Sequence, residues 1–152
     1  MWITPKQDWN PNDLVSADDM NALGSNLAYL KLERARAAIA VTPGTTTSTA
    51  FATLRTLSLT TRGGALLIGF YAGCTHDSGG AVYFDASIDG SRLALFGTNG
   101  SLELRPGTTA SLAGYSLLMT PVSEGTHSVA LVWRTNTGTA AVSVGQFWAA
   151  EL

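Results

Sequence analysis

"AVYFDASIDG" (Ala81–Gly90) decides the fold class. Val82, Phe84, Ala86 and Ile88 alternate with Tyr83, Asp85, Ser87 and Asp89, the two-residue period of a strand whose faces meet different surroundings. Asp89-Gly90 then suits the two positive-φ positions of a tight turn, which predicts a hairpin into "SRLALFG". Upstream, "ALLIGFYA" (Ala65–Ala72) follows the turn signal Gly63-Gly64. Downstream, "SLELR", "YSLLMT", "HSVALVWR" and "TAAVSVGQFWAAEL" bring the total to roughly eight strands. Turn signals at Asn99-Gly100, Pro106-Gly107, Glu124-Gly125 and Asn136–Gly138 recur every ~10–20 residues. The expected fold is therefore mainly β, an antiparallel β-sandwich or jelly roll over residues 51–152.

Two strands depart from clean alternation. Leu66, Ile68 and Phe70 line one face of theirs, yet Leu67 and Tyr71 make the other face apolar too. Val129, Leu131 and Trp133 alternate with Ala130 and Val132. A sheet with one wet face alternates apolar and polar residues, so a second layer or another subunit must cover these faces. Charged residues make up only 13% of the chain, about half the typical ~25%. That favours another subunit, with Leu67, Tyr71 and Trp133 at the contact.

The N-terminal third is of a different kind. Residues 1–15 read as an extended arm without periodicity, held open by Pro5 and Pro11. Trp2 and Trp9 have no core of their own there, and with Leu14 they are expected to dock on a partner. Residues 16–40 read as a helix. Ser16 and Asp19 form a capping-box-like start, and Asp18 and Asp19 suit the positive end of the helix dipole. Met20, Leu23, Leu27 and Leu30 recur at spacings of three and four, a short oligomerisation seam that Ala37 resumes after Arg34. Residues 41–50 read as a Thr/Ser linker opened by Pro43-Gly44.

Composition and motifs bound the chemistry. The net charge of −2, with Lys only at positions 6 and 31, gives no nucleic-acid footprint. No apolar run approaches the ~20 residues of a membrane span, and no secretory signal follows Met1. "CTHDS" (Cys74–Ser78) is where Cys, His, Asp and Ser meet, but a structural metal site needs about four ligands and a hydrolase needs a nucleophile elbow. His76, Asp77 and Ser78 therefore read as a polar loop, a candidate for receptor contact. No enzyme activity, cofactor or metal is expected. A carbohydrate-binding or carbohydrate-active module using the 73–80 loop is the alternative from another class.

"WITPKQDWNPNDLVSADDMNALGSNLAYL" (Trp2–Leu30) resembles the N-terminal segment of tailed-bacteriophage virion proteins, in which W-x-x-P-K-x-D-W-x-x-x-D leads into a helix beginning A-x-D-x-N. "FDASIDGSRL" and "EGTHSVALVWRTNTGTAAVSVGQFWAAEL" resemble the β-sandwich heads of phage tail and fibre proteins, which show a V-D-G hairpin, a G-x-H strand start and a closing E-L; Ile88 stands here in place of the Val. The resemblance implies a homotrimer with heads like the tumour-necrosis-factor-like and C1q-like trimers. It implies a place in the virion after assembly in the host cytoplasm, and contact with other virion proteins through Trp2, Pro5, Trp9, Pro11 and Leu14. The head would bind a host-surface glycan or receptor. Many such proteins carry a longer shaft, so the short joint here implies a short spike, tail fibre or tail-tip component, or a capsid decoration protein.

Overall fold

Two long strands organise the molecule, and both bend at glycine. A computed structural model of the chain describes residue 18, residues 20–23 and residues 34–152. The strands are β1 (Arg36–Ala40), β2 (Gly44–Thr46), β3 (Ala52–His76), β4 (Val82–Ile88), β5 (Ser91–Arg92), β6 (Leu102–Leu104), β7 (Leu112–Thr135) and β8 (Ala140–Glu151). β3 and β7 pair antiparallel along almost their whole length. Midway they turn a corner: Gly63, Gly64 and Gly125 hold φ of +87°, +124° and +144°, a region that side chains with a Cβ rarely adopt. Gly63-Gly64 and Glu124-Gly125, expected as turns between strands, are therefore bends inside strands. The buried Thr61 fixes the corner, its hydroxyl donating to the Ser123 carbonyl at 2.8 Å.

The bend folds one antiparallel ladder into two layers. In the first, the order is β1-β8-β3-β7, using residues 66–76 of β3 and 112–122 of β7. In the second, residues 52–62 of β3 pair with the C-terminal half of β7, which pairs in turn with β4; β5 and β6 attach to β4. Leu66, Ile68 and Phe70 from the first layer share one core with Phe84, Leu131 and Trp133 from the second. Across the gap the Phe70 and Phe84 rings lie 6.1 Å apart, and Phe84 stacks on Trp133 at the same spacing. Each such side chain, fully buried, contributes about 1.5–3 kcal/mol. The antiparallel β-sandwich expected from the alternation is the architecture observed.

Three boundaries differ from the expectation. Residues 36–40 are not the end of a helix but strand β1, with Ala37 opposite Ala149 and Ile39 opposite Phe147 on β8. Alanine has high helix propensity, yet an open sheet edge beside β8 offered this segment a ladder and an apolar surface, and tertiary packing overrode propensity. Ala37 thus packs on the sandwich core and resumes no helical seam. Residues 41–50 are not a free linker, because Val41 is buried in the core and β2 pairs with β8. The sandwich consequently starts at β1, not at residue 51, and Arg34 is the first residue of its compact unit. Residue 18 and residues 20–23 are helical, with Met20 and Leu23 exposed. Leu27 and Leu30, and the arm residues Trp2, Pro5, Trp9, Pro11 and Leu14, lie outside the described residues.

The sandwich has two distinct ends. Arg34, the corner at residues 62–64 and the β4–β5 turn lie at one, which we call the base. The turns at residues 77–80, 106–111 and 136–139 gather at the other, the tip; the Asn136 side chain accepts the Ala81 N–H at 2.7 Å there. The eleven-residue stretch Leu66–His76 separates base from tip by about 35 Å.

Candidate interaction surface

The tip loop is closed on itself. His76 is fully buried, and its Nε2 faces the Thr137 carbonyl at 2.7 Å and the Thr135 hydroxyl at 2.9 Å. Its Nδ1 accepts the Ser78 backbone N–H at 3.1 Å. The ring therefore fits the Nε2–H tautomer with its free lone pair already used, and it is no general base for the Ser78 hydroxyl 3.4 Å away. Burial pushes the Cys74 thiol up to about 11, so it stays protonated and unreactive. A hydrogen bond from the Thr139 backbone holds the exposed Asp77 carboxyl below its ordinary range. His76 is the hub that joins two tip turns, while Asp77 and Ser78 remain on the surface as candidate contacts. Among the described residues, no group of three or more Cys, His, Asp or Glu side chains could hold a metal ion. Asp85 and Glu103 are each engaged by a neighbouring arginine, Arg92 at 3.0 Å and Arg105 at 2.6 Å.

A second histidine ties the base together. His127 Nδ1 lies 2.8 Å from an Asp89 carboxylate oxygen, and Nε2 lies 3.0 Å from the Ser123 carbonyl. The other Asp89 oxygen accepts the Ser128 N–H at 2.8 Å. A neutral ring donates to one acceptor only, whereas the imidazolium donates to both. Asp89 first, then the Ser123 carbonyl, hold the His127 pKa above its ordinary 6.5. His127 first, then the Ser128 N–H, hold Asp89 below 3.8. The histidine's contribution to stability is thus complete below pH 6.5 and is lost as pH rises through its raised folded value. The aspartate's contribution is present above pH 3.8 and is lost as pH falls through its lowered folded value. We expect the melting temperature to fall by a few degrees between about pH 6 and pH 8.5, and His127→Gln to remove most of that fall. Parallel pH profiles for the two proteins would contradict the clip.

The two outer faces of the sandwich are finished differently. On the second layer, Tyr83, Asp85, Ala130 and Val132 point away from the core, and the chain itself covers them. The Arg134 guanidinium sits 4.0 Å over the Tyr83 ring, and Arg92 sits 4.5 Å over Phe51. Trp133 points the opposite way, into the core, and its expected place at a subunit contact is corrected: it is 4% exposed and stacked on Phe84. One face of its strand is apolar because it is core, and the other because residues of the same chain lie over it.

On the first layer the outward positions form rows across four strands. Arg36, Ala150, Leu67 and Met119 make one row; Ala38, Trp148, Gly69 and Leu117 the next; Ala40, Gln146, Tyr71 and Tyr115 the third. Trp148 lies flat across β3, so close that a Cβ at Gly69 would fall within its indole ring. A shallow apolar groove runs beside it, lined by Arg36, Ala38 and Ala150. Tyr71, Tyr115, Leu117 and Met119 are exposed. Arg36 is the single charged residue in these rows. Leu67 and Tyr71, expected at a subunit contact, belong to this face. Tyr115, which its sequence suits to surface contact, and Trp148, which reads as a core or interface residue, complete it with Leu117 and Met119, which were not anticipated.

The fold and its surfaces define a class: a mainly β antiparallel sandwich with a loop-bearing tip and one bare apolar face. No protein-family model matches the chain, and no curated protein is similar enough to match it. Among the described residues no helix is long and apolar enough to cross a membrane.

Proposed function

We propose that this chain is a structural protein of a tailed-phage virion, a short surface appendage anchored by its N-terminal arm and displaying a β-sandwich head. The observation that carries the reading is the polarity of the head. The chain enters at the base, where the Ala35 N–H bonds the buried Glu151 and the Ala35 carbonyl accepts the Glu151 N–H at 2.8 Å. The loops that hold Asp77 and Ser78 lie at the far end. A chain entry at one end and turns at the other is the arrangement a displayed binding module needs, since loops tolerate change while the strands beneath them stay rigid. The arm residues Trp2, Pro5, Trp9, Pro11 and Leu14 dock on other virion proteins. The tip contacts a host-surface glycan or receptor. Several heads act together, most simply as a trimer, so that weak contacts sum into useful avidity.

Deleting residues 1–15 tests the anchor. The truncated protein is expected to keep the melting temperature of the full chain within a degree or two and to be lost from purified particles. Incorporation at the full-length level would overturn the docking role.

A further inference from the structure

We infer that a second copy of this chain covers the outer face of the first layer, packing side by side with the first. The inference rests on the multicopy display proposed above and assigns the surface that produces it. Tyr71, Tyr115, Leu117 and Met119 are 44%, 76%, 57% and 62% exposed. At ~150–250 Å² for a large side chain, these four leave on the order of 500 Å² uncovered. Trp148 and the exposed alanines of the same rows raise the face to on the order of 700 Å², within the range of one partner's share of a standard stable interface. Bare apolar patches of that size are rare on monomers.

Three features select a like copy as the occupant. The first is charge: apart from Arg36 near the base the rows are neutral. A membrane surface or an acidic partner would call for clustered Lys and Arg. Two neutral faces, by contrast, meet without stranding an unpaired charge. The second is the edge. Among the described residues, residues 112–122 of β7 pair with β3 on one side only, so this stretch is an edge of the ladder beside the apolar face. An edge that is long and apolar is covered in natural assemblies, because otherwise it recruits strands at random. The third is direction. The face runs parallel to the line from base to tip, so copies related by rotation about that line keep the chain entry at Arg34 of every copy at one end and every tip at the other. Closed rotational symmetry of that kind gives a finite assembly, not a fibre.

The test compares four full-length proteins by sedimentation equilibrium: wild type, Leu117→Glu, Met119→Glu and Phe96→Glu. Phe96 is also exposed but lies in the loop after β5, away from this face. Wild type and Phe96→Glu are expected to be oligomers of the same mass. Leu117→Glu and Met119→Glu are each expected to associate at least ~100-fold more weakly, because each buries an unpaired carboxylate at the contact. Far-UV dichroism and a cooperative melt show that these variants are folded, and neither side chain belongs to the core. Oligomers of wild-type mass in both variants would overturn the surface and leave multicopy display standing on another contact. A monomeric wild type at tens of micromolar would overturn the inference together with the avidity, while anchoring by the arm would still be judged by particle incorporation.

Discussion

Trp133→Ala is expected to destabilise the protein by about 4 kcal/mol, the middle of the range for deleting a large aromatic from a packed core. Trp133 sits on β7 directly opposite Phe84 on β4, and its ring stacks on that neighbour 6.1 Å away. Phe84 in turn meets Phe70 from the other layer. Removing the indole leaves a void between the two sheets, and the paired ladders on either side of β7 prevent the backbone from closing it. The ring contact adds ~0.5–1.5 kcal/mol beyond the buried area. In urea the midpoint should drop by roughly 2 M for a domain of this size, at fixed protein concentration because association also contributes to apparent stability. The variant should keep the wild-type dependence of mass on concentration wherever it is folded. A loss below 1 kcal/mol, or a folded variant whose only defect is dissociation, would return Trp133 to a subunit contact.

That prediction turns on which side of a strand a residue faces, and here the sequence was only partly legible. Ala81–Gly90 could be read directly. Its alternation gave a strand, and Asp89 and Gly90 take the expected positive φ values of +51° and +82°. Gly63-Gly64 and Glu124-Gly125 carry the same local signal, positive φ, but serve as a corner. The difference is long-range: the ladder between β3 and β7 continues past them on both sides. Local sequence shows that the backbone must turn, not whether the chain reverses or bends.

Residues 115–120 show a second limit. Tyr115, Leu117 and Met119 point outward, while Ser116, Leu118 and Thr120 point toward the core side. The more apolar set is the exposed one, so an argument from hydrophobicity assigns the faces backwards. This inversion becomes visible only once the register with β3 is known. Arg34–Ala40 is a third case. "RARAAIA" favours helix by propensity, and the pairing partner that makes it a strand lies more than a hundred residues away on β8. The same pairing brings the start of the head beside its last strand, which neither segment predicts alone.

Glu151→Ala is expected to cost about 3 kcal/mol and to act at that junction. Glu151 is an acid on the last strand with a side chain only 1% exposed. One carboxylate oxygen accepts the Arg62 backbone N–H at 2.7 Å, next to the glycine corner; the other accepts the Ala35 N–H at 3.3 Å, where the head begins. The Arg34 guanidinium lies 3.8 Å from the first oxygen. Alanine removes both acceptors while the two amides stay in place, and each buried donor left bare costs ~1–3 kcal/mol. Gln at this position keeps one oxygen but turns an NH₂ group toward an amide donor, so Glu151→Gln should recover less than half of the loss. Glu124→Ala, at an exposed carboxylate of the same corner, should stay within about 0.5 kcal/mol of wild type. Amide hydrogen exchange separates this account from a general loosening: Arg62 and Ala35 should lose protection before the core amides of β3 and β7. If Glu151→Ala melts with wild type, or if exchange accelerates uniformly, then the corner holds itself and Glu151 is not the residue that fastens the base of the head.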